Sequence, residues 1–229
     1  MINLVKIKQY ASGVLFPVFC VVCGQEGEWW CASCQAKEPA RLQNFCNQCS
    51  APLKLWATCS HCDRIPKFGV TALFDYQSSR AASKLIKLYK YNHARSIRAV
   101  WEKIIAPLEI KSLGRAVVIP VPLFPRRARS RGFNLAADLA EIFAQKMDLE
   151  INGVDLQRVR ATKQQTKLGK EERAVNMRGA FAYSKNKPAP EQVILVDDVF
   201  TTGATLRACA AALQAAGTQE LWSLVLARD

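Results

Sequence analysis

At 229 residues and 50% hydrophobic composition, the chain is long enough for one sizeable core with a small appendage, and too apolar to be disordered. Its net charge of +13 favours an anionic partner, either a polyphosphate metabolite or nucleic acid. No apolar stretch reaches bilayer length, since Val14–Val22 is broken by Pro17 and Cys20, and no long apolar run ends in a cleavage site. The expectation is a cytoplasmic protein with no membrane insertion.

The N-terminal part is defined by cysteine. Eight of the nine fall in four knuckles of one spacing: Cys20-x-x-Cys23, Cys31-x-x-Cys34, Cys46-x-x-Cys49 and Cys59-x-x-Cys62. A two-residue gap lets both thiolates of a tight turn face one tetrahedral ion, and two knuckles complete a site of four cysteines. The expectation is two structural zinc ions. A disulfide framework would need an export signal, and none is visible. Sequential pairing needs only short hairpins. However, only seven residues separate Cys23 from Cys31, so interleaved pairing stays open. His61, inside the last knuckle, reads as exposed. A block this small depends on metal to fold.

Ile65–Lys67, with Pro66, reads as a linker, which divides the chain into a ribbon segment, 1–66, and a larger domain, 67–229. Phe68–Tyr76 is rich in strand formers. Ser79–Tyr89 carries Ala82, Leu85, Ile86 and Tyr89 at helical spacing, with Lys84, Lys87 and Lys90 assigned to the opposite side. In Tyr89-Lys90-Tyr91 the tyrosines read as partly buried packing, with a basic-aromatic contact for bases or phosphates as the alternative. A second helix is expected over Ala94–Ile105, an apolar strand over Ala116–Val121 and a helix over Asn134–Lys146. A second apolar strand follows at Val193–Val196, then a helix over Thr202–Ala216 closed by Gly217, and a last strand at Leu221–Leu226. Continuously apolar strands alternating with helices argue for a parallel sheet covered on both faces. Basic residues are concentrated in Arg80–Arg131, with thirteen against two acidic, and in Arg158–Arg178, with seven against two.

The stretch that carries chemistry is Val193-Ile-Leu-Val-Asp197-Asp198-Val-Phe-Thr201-Thr202-Gly203-Ala204-Thr205. An apolar strand runs into two carboxylates, and a turn of small residues then opens a helix. Backbone N–H groups of Thr201, Thr202, Gly203, Ala204 and Thr205 would converge on an anion at the helix's positive end. Asp197 and Asp198 suit hydroxyl groups and hydrated Mg²⁺. The lysine and the wider glycine spacing of a nucleotide P-loop are missing. A phosphate on one side and a diol on the other describe a ribose 5-phosphate.

On these residues the segment resembles the phosphoribosyl-pyrophosphate (PRPP) motif of type I phosphoribosyltransferases. The whole chain resembles the bacterial ComF (competence protein F) family, especially its longer members, called GntX. The resemblance rests on the knuckles, Ile119-Pro-Val-Pro-Leu123, Arg131-Gly-Phe-Asn134, Arg158-Val-Arg-Ala-Thr162, Gln165-Thr166, Asn176–Phe181 and the PRPP motif. Leu135 departs from the family's usual glutamine. The resemblance implies a double zinc ribbon followed by a type I phosphoribosyltransferase-like α/β domain. It implies that Pro120–Gly132 is the pyrophosphate loop, with Arg126, Arg127, Arg129 and Arg131 as forked donors. It makes Ala161–Arg178 a mobile catalytic loop carrying Lys163, Gln165, Thr166, Lys167, Lys170 and Arg173. Two functions follow from it: a Mg²⁺-dependent transferase using PRPP, or a protein that senses PRPP or binds single-stranded DNA without turnover. The implied setting is DNA uptake during competence, with single-stranded DNA and a competence-machinery protein as further partners. Thr201 stands where 6-oxopurine salvage enzymes carry an Asp, which points away from hypoxanthine or guanine as acceptor.

Overall fold

The computed structural model describes residues 17–63, 65–91, 95–111, 113–161, 176–184 and 186–229. A short helix α1 (Ala32–Lys37) and strand β1 (Gln43–Cys46) precede β2 (Gly69–Asp75), α2 (Arg80–Tyr91), a 3₁₀ turn at Arg95–Ile97 and α3 (Arg98–Ile105). Then come β3 (Val117–Pro120), α4 (Pro125–Arg131), α5 (Leu135–Met147), β4 (Leu156–Arg158) and β5 (Phe181–Tyr183). The chain closes with β6 (Gln192–Phe200), α6 (Ala204–Ala215) and β7 (Glu220–Arg228).

Five strands form one sheet in the order β1-β2-β7-β6-β3. β2, β7, β6 and β3 run parallel, and β1 pairs antiparallel on the outer side of β2. The expected parallel α/β sheet is therefore present. Both faces are covered, which is why the central strands read as unbroken apolar runs rather than alternating ones. On one face Ile194, Val196, Leu224 and Leu226 pack against Leu85, Ile86, Trp101, Leu139 and Phe143 of α2, α3 and α5. On the other, Val193, Leu195 and Val225 meet Leu206, Cys209 and Leu213 of α6, together with Leu156 and Phe181 of the small β4–β5 sheet. Cys209 is a fully buried core residue.

Local signals set the helix ends. Ser79 Oγ accepts from Ala82 N (3.2 Å) ahead of α2, and Asn134 caps α5 by accepting from Ala136 N (3.2 Å). Leu135, the departure noted above, is a buried core residue in the first turn of α5.

The ribbon segment is part of the body. The division expected between 66 and 67 falls just before β2, whose outer partner, β1, comes from the first part. Trp222 Nε1 donates to the Trp56 carbonyl (2.7 Å), Trp29 Nε1 to Ser96 Oγ (3.0 Å) and Lys84 Nζ to the Val21 carbonyl (2.7 Å). Among the described residues no helix is long and apolar enough to cross a membrane.

Candidate ligand-binding site and metal centres

β3 ends at Pro120, opposite Val196, whereas β6 continues for four more residues. The Val121 amide donates once more to the Val196 carbonyl (2.8 Å), and the chain then leaves the sheet into α4. This divergence opens a crevice at the carboxyl ends of two parallel strands, the usual ligand position in such sheets. The crevice encloses a cavity of about 400 Å³. The sequence places the end of β6 at Val196, with the carboxylates beyond it. The strand instead carries both of them, because β7 stays paired alongside, with Asp197 opposite Val225 and Phe200 opposite Arg228.

The cavity brings together Asp197, Asp198, Thr201, Thr205, Arg127 and Arg131. Thr202, Gly203 and Ala204 complete the turn behind Thr201 and Thr205 without lining it. α6 begins at Ala204, two residues later than expected. Its N-cap Gly203 is left-handed (φ 72°) and brings no capping side chain, and the Ala204 amide donates to Thr202 Oγ1 (3.4 Å). A side chain at Gly203 would also run into the Phe200 ring at 2.8 Å.

The arginines expected on the pyrophosphate loop divide into two pairs. The expected loop is a helix at its centre, with Pro125 in the first turn and Gly132 (φ 71°) closing it in the left-handed region. Residues four apart share a helix face. Arg127 and Arg131 therefore line the cavity together, while Arg126 and Arg129 point to solvent and stay outside it. Of the four arginines expected as forked donors, these two face the cavity: Arg127 and Arg131.

Tyr76, Asn134, Arg158 and Asp229 also line the cavity without having been assigned a site role from the sequence, and so does Lys90, whose ligand contact was only the alternative reading. Lys90 is the most consequential, since its Nζ pairs with Asp198 Oδ1 at 2.8 Å. It therefore does not share an outward lysine face. Lys84 binds the Val21 carbonyl, and Lys87 stands 5.9 Å from the Tyr76 ring centroid. The signal for Lys90 was its position four residues after Ile86, itself a wall residue. Tyr89 is buried packing and donates its hydroxyl to Asp138. Tyr91 is exposed and holds the Arg131 guanidinium 5.3 Å from its ring centroid.

The electrostatics follow from this crowding. Burial first, and then the Asp198 charge, push the Asp197 carboxyl up to about 7. Burial alone would lower Lys90, but Asp198 and Asp197 together outweigh it and hold the ammonium above its ordinary value. Burial, and then the neighbouring Arg127, hold Arg158 below the ordinary arginine value. Asn134, the cap of α5, donates from Nδ2 to the Val121 carbonyl (3.0 Å) and so ties the crevice's floor to that helix. Two carboxylates thus stand on one wall, with Arg127, Arg131 and Arg158 on the others. Lys163, Gln165, Thr166, Lys167, Lys170 and Arg173, expected on the catalytic loop, lie outside the described residues. A larger, shallower hollow of about 720 Å³ beside β5 holds none of the expected residues, and its Lys187 is paired with Asp155 at 2.7 Å.

The cysteines form two groups with sequential pairing, Cys20, Cys23, Cys31 and Cys34, and Cys46, Cys49, Cys59 and Cys62. Within each group all Sγ atoms lie within 4.8 Å of one another. Neighbouring sulfurs stand 3.6–3.9 Å apart. Four sulfurs around zinc at about 2.3 Å would be separated by about 3.8 Å, so both groups fit a tetrahedral ion. His61 is exposed and outside the group. Its amide donates to Cys59 Sγ (3.3 Å), which pulls that thiol down to about 7. Burial and the neighbouring sulfurs push Cys34 and Cys62 up to about 12, so binding zinc requires the release of their protons. Metal analysis of freshly purified, reduced protein is expected to give two zinc ions per chain, one for each group. Less than one would overturn the zinc reading.

Residues 128–229 match the phosphoribosyl transferase domain, and the two cysteine groups lie ahead of this stretch. Over most of its length the chain is homologous to Competence protein F of Haemophilus influenzae, at 29% identity over 210 residues (86% of this chain, 90% of the relative). Competence protein ComFC of Streptococcus pneumoniae is 25% identical over 202 residues (88% and 82%). DNA utilization protein YhgH of Escherichia coli K12 is 27% identical over 227 residues (91% and 96%). The resemblance read from the sequence is borne out.

Proposed function

We propose that the cavity binds PRPP with Mg²⁺ and that the protein transfers the phosphoribosyl group, acting on DNA-derived material in competence. The observation that carries this reading is the convergence of Asp197, Asp198, Thr201, Thr205, Arg127 and Arg131 on one cavity of about 400 Å³. The relatives' names support the competence setting.

In this reading the turn from Thr201 to Thr205 takes the 5-phosphate on backbone N–H groups at the N-terminus of α6. Asp197 and Asp198 accept hydrogen bonds from the ribose hydroxyls. Arg127 and Arg131 fork onto the pyrophosphate oxygens and stabilise the charge that grows as the anomeric C–O bond breaks. Lys90 leaves Asp198 for a phosphate oxygen, or holds the carboxylate in place for the ribose. Both carboxylates fit a hydrated Mg²⁺, which would supply charge neutralisation of the leaving pyrophosphate. The attacking acceptor bonds to the anomeric carbon as pyrophosphate departs with the bonding pair.

Calorimetry with Mg²⁺-PRPP, and separately with a single-stranded oligonucleotide, tests the proposal. Saturable one-site binding of Mg²⁺-PRPP is the expected result. No heat with PRPP alongside tight oligonucleotide binding would replace it with a DNA-binding adaptor.

A further inference from the structure

We infer that the second cysteine centre positions the phosphate-binding turn, with Arg207 as the link; this rests on the PRPP reading of the cavity. The turn's backbone bends through Gly203, and Ala204 N reaches Thr202 Oγ1 only at 3.4 Å. Beneath it lie Arg207 and Phe200, and both rest on the ribbon, on Asn47 and Phe45 respectively.

Asn47 is a spacer residue of the Cys46-x-x-Cys49 knuckle, and its carbonyl oxygen accepts from Arg207 Nη1 (3.1 Å). Arg207 lies one helical turn after Gly203, and its amide donates to the Gly203 carbonyl (2.9 Å). Its Nη1 also fills the space below Gly203, where a Cβ would lie 2.7 Å away. Burial holds this guanidinium below its ordinary value, as expected of a cation kept from water for a structural contact.

A second path runs alongside. Phe45 precedes Cys46, and its ring meets Phe200 edge-on, with centroids 5.0 Å apart. The Phe200 ring forms the other side of the space below Gly203. The Arg228 guanidinium covers the far face of this pair, 4.1 Å from the Phe45 centroid. The knuckle is in turn fixed to β2, since Asn47 Oδ1 accepts from Phe68 N (2.9 Å) and Nδ2 donates to the Pro66 carbonyl (2.9 Å). A metal ion that holds Cys46 and Cys49 thus fixes the carbonyl on which Arg207, and with it the turn, is registered. The first centre lies on the opposite face of the sheet, with contacts to α2 through Val21, to α3 through Glu28 and to the 3₁₀ turn before α3 through Trp29.

The test uses the full chain and the matched variants C49S and C23S, since Cys49 and Cys23 are the exposed ligands of their groups. Beside them stand R207A, R207K and the double variant R207A/C49S. Two readouts are taken: Mg²⁺-PRPP affinity, and hydrogen exchange of the amides of residues 200–206. R207A and C49S are each expected to weaken binding and to speed exchange by about tenfold. The double variant should be no worse than the weaker single one, because both act through one link. R207K restores part of both, and C23S stays near wild type. Equal damage from C23S, additive losses, or an R207A protein unchanged in both readouts would overturn the inference. R207A and R207K decide the matter even where a cysteine variant fails to fold. A wild-type protein that ignores PRPP would sink the proposed function, and the exchange readout would still judge the link.

Discussion

D197N/D198N protein is expected to lose Mg²⁺-PRPP binding by at least about a hundredfold while remaining folded. Each carboxylate offers charge-assisted hydrogen bonds worth about 1.5–3 kcal/mol, so two lost groups remove at least about two decades of affinity. The fold should tolerate the change because neither side chain is a core residue, and Asp198 is 19% exposed. The single variants should differ in stability. D197N removes one of two crowded like charges and should raise the melting temperature. D198N leaves Lys90, also 19% exposed, without its ion-pair partner and should lower it. Thermal unfolding and calorimetry on the three proteins check both statements. Unchanged PRPP affinity in the double variant would refute the assignment of the acidic pair.

R127A/R131A should bind Mg²⁺-PRPP at least about a hundredfold more weakly, since each guanidinium contributes about 1.5–3 kcal/mol to a phosphate contact. R126A/R129A should stay near wild type, because those side chains point away from the cavity. The comparison is internally controlled, as both pairs leave the same short helix with the same loss of charge. The outward pair has its own readout in DNA binding. Each phosphate contact on a single strand contributes about −0.7 to the log-log salt slope, so removing two contacts should flatten it by about 1.4. Equal loss of PRPP affinity from both pairs would mean that net charge, not the geometry of α4, governs the site. Equal damage to both ligands from R127A/R131A would mean that a DNA phosphate can occupy the pyrophosphate's place.

What the sequence determined is what depends on local pattern. Knuckle spacing alone picked out the eight cysteines that the fold gathers into two groups of four, because a tight CxxC turn aims two thiolates the same way wherever it is placed. The apolar runs at Val193–Val196 and Ala116–Val121 announced strands covered on both faces. The order of carboxylates, small turn and helix in Asp197–Thr205 marked the end of the sheet at which the cavity opens. The helix α4 also has its local signals in Pro125 and Gly132, inside the stretch that the resemblance makes a loop.

The tertiary structure decided everything that depends on which element lies beside which. Sequential pairing of the knuckles required the folded hairpins, since several pairings satisfy the same spacing. The extension of β6 through Phe200 came from its partner β7, a strand 20 residues further on. Lys90 became a site residue because α2 crosses the end of the sheet and delivers the lysine to Asp198, 108 positions away in the chain. Arg207 rests on Asn47 across 160 positions. Such contacts arise from packing helices and knuckles onto a common sheet, and packing depends on shape and burial across the whole chain rather than on the period of any one segment.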